Sequence, residues 1–180
     1  EMTSSLVGSE MCIRDRLKIA GVIEESIVDG PGIRFVVFTQ GCPHNCKGCH
    51  NPQTHDFSLG TYIDIDSIAE KINSNPLLRG VTLSGGEPFM QCKTLVKLIS
   101  KLNDNLDVIT YTGFTIEEIL EKANEDNDFF SLLDKTDILI DGKFDENKKD
   151  DNLLFRGSSN QRAIDVKLSL KNNKIVEYEF

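Results

Sequence analysis

Apolar residues fall along this chain in short bursts bounded by turn residues, and two periodicities alternate. The run Ile33-Arg-Phe-Val-Val-Phe-Thr39 is nearly continuous in large apolar side chains, as a strand covered on both faces requires. Asp29-Gly-Pro-Gly32 just ahead of it reads as a turn. The same strand pattern returns at Gly80-Val-Thr-Leu-Ser84, from Leu106 to Tyr111, and at Asp137-Ile-Leu-Ile-Asp141. Between these strands the spacing predicts helices: one capped by Asp66 and reaching about Ser74, one from about Cys92 to Leu102, and one capped by Thr115 and reaching about Ala123. The charge-rich stretch from Asp145 to Asn152 reads as a solvated loop or short helix. The tail from Val166 to Phe180 alternates around Asn172-Asn173 and reads as a hairpin.

Strands alternating with helices imply parallel strands joined by helical crossovers, an α/β fold. An eight-unit barrel takes about 250 residues, or about 31 per unit. A chain of 180 residues is too short for that. The expectation is a partial, open (β/α) barrel of about five to six units with parallel strands. Such folds place their chemistry on loops at the carboxyl ends of strands. Two distinctive segments fall there, Gly41-Cys-Pro-His-Asn-Cys-Lys-Gly-Cys-His50 and Gly85-Gly-Glu-Pro88.

With 39% hydrophobic and 27% charged residues, the composition suits one soluble globular domain. Within residues 1–16, Leu6 to Arg16 resembles the translation of a sequencing-library adapter, so residues 1–16 are read as a non-native adapter-derived scar and residues 17–180 as the domain. The formal charge of −9 and the lack of any basic stretch argue against a nucleic-acid partner. No apolar run is long enough to span a membrane, and clustered cysteines suit a reducing, cytoplasmic setting.

Cys42, Cys46 and Cys49 form a C-x3-C-x2-C set. Three thiolates on one loop can hold three corners of an iron–sulfur cube, whereas cluster proteins that only carry electrons supply four. One iron is then open to something that is not protein, and an open metal position is a catalytic one. The competing reading is a non-catalytic zinc module completed by His44, His50 or His55. Cys92, on the first turn of a predicted helix, reads as a buried structural cysteine, with a fourth-ligand role as the alternative.

Together, the cysteine loop and Ser84-Gly-Gly-Glu-Pro88 resemble the radical S-adenosylmethionine enzymes. Val28-Asp-Gly-Pro-Gly-Ile-Arg34, Tyr111-Thr-Gly-Phe114, Ile140-Asp-Gly-Lys-Phe144 and Arg156-Gly-Ser-Ser-Asn-Gln161 further resemble the activating proteins of anaerobic ribonucleoside-triphosphate reductase, over Leu17 to about Asp165. The Asp-Gly-Pro-Gly turn is shared with activators of other glycyl-radical enzymes, so a formate-lyase type of partner is the alternative.

The resemblance implies one [4Fe-4S] cluster held by Cys42, Cys46 and Cys49, with S-adenosyl-L-methionine chelating the fourth iron. Reductive cleavage would yield a 5′-deoxyadenosyl radical, which takes hydrogen from a glycine of the large reductase subunit; flavodoxin or ferredoxin would supply the electron. No protein acid or base is needed, so no catalytic side chain is assigned. Cofactor contacts are expected from Gly48, Cys49 and His50, and from Gly85, Gly86 and Glu87, whose missing side chains and carboxylate suit the methionine amine. His50 either stacks on adenine or faces solvent. For Gly85-Gly86 the plain alternative is a strand-to-helix turn. Asp141, Lys143 and Arg156 either bind the cofactor or organise loops.

Overall fold

In the computed structural model, which describes residues 15–180, the chain opens with a long strand, β1 (Arg16–Ser26), that folds back through the Asp29–Gly32 turn onto β2 (Arg34–Thr39). The adapter-like run and Cys12 lie outside the described residues, apart from Asp15 and Arg16. Arg16 pairs with Asp64, and Asp15 bonds Lys97. After the cysteine loop come β3 (Thr61–Asp64), α1 (Ile65–Ser74), β4 (Gly80–Gly85), α2 (Cys92–Ile99) and β5 (Asp107–Tyr111). Then follow α3 (Ile116–Lys122), α4 (Phe129–Asp134), β6 (Ile138–Asp141), β7 (Arg162–Asp165) and α5 (Val166–Asn172).

All seven strands form one sheet in the order β3-β1-β2-β4-β5-β6-β7, and its two edges do not pair, so it is open. Strands β2, β4, β5 and β6 run parallel, while β1, β3 and β7 are antiparallel to their neighbours. The parallel part is thus smaller than the five to six units expected. Beyond Asp141 the chain spends residues 142–161 on a loop instead of a crossover, and β7 returns antiparallel to β6.

Local sequence explains most boundaries. The first cap is Asp64, not Asp66: its carboxylate accepts from the amides of Asp66 and Ser67 at 2.8 and 3.2 Å. Thr115 caps α3 as expected, in a reciprocal box with Glu118. The tail differs from the expected hairpin. Asp165 accepts from the amide of Leu168 at 2.8 Å, which starts α5, and Asn173 in the left-handed region ends it. A 3-10 turn at Glu146–Lys148 occupies the charged stretch.

Alternation along the strands sorts side chains between two faces. Phe35, Val37, Val81, Leu83, Val108 and Leu139 pack beneath the helices in the main core. Residues of the other parity, Phe38, Ser84 and Tyr111, look into a cavity on the opposite face. Arg34 is the exception in β2, a fully buried cation. It donates to Thr82 Oγ1 and the Val81 carbonyl, both at 2.8 Å, and pairs with Asp107 at 2.5 Å.

Candidate active site

The cysteine loop leaves the carboxyl end of β2 and is tied at its base to the next turn: Gly41 N–H donates to Thr54 O at 2.8 Å and Cys42 N–H to His55 O at 3.1 Å. Asn45 and Gly48 take positive φ, which curls the loop so that Cys49 N–H reaches Cys46 O at 3.2 Å. All three thiols are free and partly buried. Asn51 N–H donates to Cys49 Sγ at 3.4 Å, and backbone groups of His44 and Asn45 lie near the Cys42 sulfur and of Phe144 near the Cys46 sulfur. Burial pushes the Cys42 and Cys46 thiols up, and those backbone groups pull back.

This donor set fits a sulfur-ligated cluster. Amide N–H groups aimed at sulfur stabilise thiolate charge and are a recognised lever on cluster potential. It suits the zinc set less well. His44 and His55 are committed through ring nitrogens to Glu87 at 2.8 Å and Asn45 at 3.2 Å, and the His50 ring lies 5.2 Å from that of Phe144. Among the described residues, no group of three or more His, Cys, Asp and Glu side chains is drawn together around a single ion.

Glu87 is the hub beneath the loop. It is fully buried, and its oxygens accept from Phe89 N, Thr112 Oγ1, Gly113 N and His44 Nε2, all between 2.8 and 3.0 Å. The carboxylate expected to meet a ligand amine is therefore engaged by protein donors that join the ends of β4 and β5 to the cysteine loop. Gly85 and Gly86 serve the same junction. A Cβ on Gly86 would sit 2.5 Å from the Gly41 carbonyl oxygen, and one on Gly85, at φ +93, would sit 2.6 Å from Phe38 Cα. The bare Gly85 lets β4 end close against β2, and the bare Gly86 lets the base of the cysteine loop lie directly on it, where Gly86 N–H donates to Thr39 O and Glu87 N–H to Gly41 O.

A cavity of about 540 Å³ opens beside the cysteine loop, within the range of small-ligand sites. Cys49, His50 and Asn51 line it from one side, Ser84 and Tyr111 from the strands, and Phe155 and Arg156 from the long loop. Of the expected contacts, Cys49 and His50 border this space. Gly48 sits instead where a Cβ would press on Phe144, 3.2 Å away. Gly85, Gly86 and Glu87 lie behind Ser84, because the chain turns under the cysteine loop after that residue.

The C-terminal motifs are wrapped onto the cysteine loop. Phe144 packs against Gly48 and His50, which both stay exposed, Glu146 pairs with Lys47 at 2.9 Å, and Gly157 packs against the rings of Phe144 and His50. Gln161 holds this loop closed: its Oε1 accepts from the amides of Gly157 and Ser158, and its Nε2 donates to Gly142 O at 3.0 Å. Asp141 is a loop organiser, accepting from Arg162 and from Ile116 N. Lys143 lines a separate cavity of about 620 Å³.

For His44 and Tyr111 the structure gives roles that the sequence did not: His44, a candidate zinc ligand by position, instead bonds Glu87, and Tyr111, a strand and motif residue, anchors the long loop. His44 is buried, 4.5 Å edge-on to Phe114, and so close to Gly113 that a Cβ there would clash with its ring at 2.3 Å. Its position inside the C-x3-C span was the available signal, but its partner Glu87 is 43 residues away. Tyr111 closes the expected strand as β5 does, and its hydroxyl donates to Phe155 O at 2.9 Å, 44 residues away. Cys92, by contrast, is buried with its thiol donating to Phe89 O at 3.1 Å, as a structural cysteine should be.

Residues 28–164 match the family described as "4Fe-4S single cluster domain". An anaerobic ribonucleoside-triphosphate reductase-activating protein of Haemophilus influenzae is 34% identical over 75% of this chain and 89% of its own. Proteins of that name from Escherichia coli and Vibrio cholerae are each 33% identical over 75% of this chain and 90% and 89% of theirs. The solved structure of QueE from Escherichia coli is similar at a TM-score of 0.42 and 18% identity, over 60% of this chain and 59% of that one. The chain belongs to the family of anaerobic ribonucleoside-triphosphate reductase-activating proteins.

Proposed function

We propose that this protein is a radical S-adenosylmethionine activase that installs a glycyl radical on the large subunit of anaerobic ribonucleoside-triphosphate reductase. The observation that carries the reading is the set of three free, partly buried thiols Cys42, Cys46 and Cys49 on one loop, beside a ligand-sized cavity in a chain of the activating-protein family. In this reading residues 17–180 are one radical S-adenosylmethionine domain working as a partial (β/α) barrel, and residues 1–16 are an adapter-derived scar. Among the described residues no helix is long and apolar enough to cross a membrane, and we assign the protein to the cytoplasm.

Cys42, Cys46 and Cys49 would hold a [4Fe-4S] cluster, and the cavity bordered by Cys49 and His50 would take S-adenosyl-L-methionine. When bound and reduced, with flavodoxin or ferredoxin as donor, the pair supplies the 5′-deoxyadenosyl radical that removes hydrogen from the partner's glycine. The chain's own residues position and shield. Gly48 and Gly86 let the cysteine loop close against Phe144 and the end of β4, Gly85 lets β4 approach β2 there, and Glu87 fixes the loop through His44. His50, packed on Phe144, presents a flat ring to the cavity. No side chain is assigned as acid or base.

The test is anaerobic reconstitution with iron, sulfide, dithionite and S-adenosylmethionine. Release of 5′-deoxyadenosine is expected, and its loss in Cys46→Ala. Normal release by that variant contradicts the ligand assignment.

A further inference from the structure

Arg156 is the only Arg or Lys among the described residues that line the cavity beside the cysteine loop, and its hydrogen bonds are incomplete. Its Nε is buried without a partner, and its one hydrogen bond among the described residues is a long one, Nη1 to the Gln161 carbonyl at 3.3 Å. A guanidinium offers five N–H donors, and burying one unpaired is costly unless a ligand completes it. The carboxylate lining the same cavity, Asp29, makes no ion pair with Arg156 and accepts instead from Ser26 Oγ at 2.5 Å.

The backbone around Arg156 is built to hold it there. Phe155, a bulky residue, takes φ +56, a left-handed conformation that such residues adopt only where the surroundings impose it. Three contacts impose it: Tyr111 donates to the Phe155 carbonyl at 2.9 Å, the Phe155 ring packs edge-on to Phe180 at 4.8 Å, and Gln161 gathers the amides of Gly157 and Ser158. A strained, over-determined turn that presents an under-satisfied arginine to a cavity is the arrangement of an anion receptor.

Resting on the proposed function, we infer that Arg156 binds the α-carboxylate of S-adenosylmethionine. That carboxylate is the only anionic group of the ligand, whose sulfonium and ammonium are cations. A guanidinium with free donors can bond the carboxylate oxygen that chelation of the iron leaves open.

The experiment measures anaerobic equilibrium binding to the reconstituted holoenzyme of S-adenosylmethionine and of its decarboxylated analogue, for wild type, Arg156→Gln and Arg156→Lys, each checked for iron content. Arg156→Gln should weaken S-adenosylmethionine roughly tenfold or more and the analogue less than about twofold, the loss of a hydrogen-bonded charge partner. Arg156→Lys should fall between, since it keeps the charge and loses the fork. Equal weakening of both ligands, or unchanged binding of S-adenosylmethionine, overturns the inference. If wild type still releases 5′-deoxyadenosine in that case, the activase reading stands and only the role of Arg156 is lost; a wild type that binds neither ligand refutes both.

Discussion

The imidazole of His44, from the middle of the cysteine loop, meets the fully buried carboxylate of Glu87, from the end of β4, at 2.8 Å. Through Glu87 it is joined to Thr112 and Gly113 at the end of β5. One acidic side chain therefore locks three carboxyl-end segments of the sheet together. A hydrogen bond to a buried charged group contributes about 1.5–3 kcal/mol. His44→Ala should lower unfolding stability by about 2 kcal/mol and speed iron release to a chelator, whereas His44→Gln, which can still donate, should retain most of both. Urea unfolding and chelator kinetics check this; an Ala variant that holds iron as long as wild type contradicts it.

Gly86 should tolerate no side chain although it does not border the cavity. Alanine there places Cβ 2.5 Å from a backbone oxygen of Gly41, which cannot swing away as a side chain could. Gly86→Ala is expected to cost about 1–3 kcal/mol and to lower cluster incorporation. Iron per chain after reconstitution is the measurement, and full loading of a stable variant is the contrary result.

Cys92 sits apart from the cluster loop in the helix-side core, its thiol pushed up by burial and bonded to the Phe89 carbonyl. Cys92→Ala should cost about 1–2 kcal/mol for the lost packing and hydrogen bond while leaving iron content unchanged. A loss of one quarter or more of the iron would make it a ligand after all.

At the other end of the long loop, Arg162 bridges the buried Asp141 and the exposed Glu117. Its hydrogen bonds hold the Glu117 carboxyl down at about 2. A depressed acid contributes stability above its unfolded pKa, about 4.3, and loses it as pH falls through the folded value. Glu117→Gln should therefore destabilise at neutral pH by less than about 1 kcal/mol, screened as the group is, and the difference should vanish as pH falls from about 4.3 to about 2. Arg162→Ala leaves Asp141 buried without its cation and should cost about 3 kcal/mol at pH 7. Unfolding curves across pH separate the two, and a Glu117→Gln effect that grows toward low pH runs against the assignment.

The parallel strands were legible because residues covered on both faces must be apolar throughout, as in Phe35-Val-Val-Phe38. The edges were not. β3 is a four-residue strand that is mostly exposed, and α4 spans only Phe129–Asp134, too short to display a helical period. The tail misled because Val166-Lys-Leu-Ser-Leu170 alternates like a strand, while the Asp165 cap and the turn at Asn173 decide for a helix. The sheet's antiparallel return at β7 has no local signature either, since it depends on residues 142–161 folding over the cysteine loop.

At the site, the grouping of Cys42, Cys46 and Cys49 could be read because all three lie within one loop. Long-range partners could not. His44 to Glu87, Phe144 over Gly48, and Tyr111 to Phe155 each join segments far apart in the chain, and the sequence shows only their separate halves. Gly85 and Gly86 were recognised as places of close approach, but the neighbours that approach are the chain's own, β2 at Gly85 and the base of the cysteine loop at Gly86.

The central claim is tested most directly by electron paramagnetic resonance of the anaerobic reductase after incubation with the reconstituted, reduced protein and S-adenosylmethionine. The account expects a glycyl-radical signal on the reductase, absent when Cys46→Ala replaces the wild type. The contrary result is a reductase that stays silent while a formate-lyase treated in the same way acquires the signal.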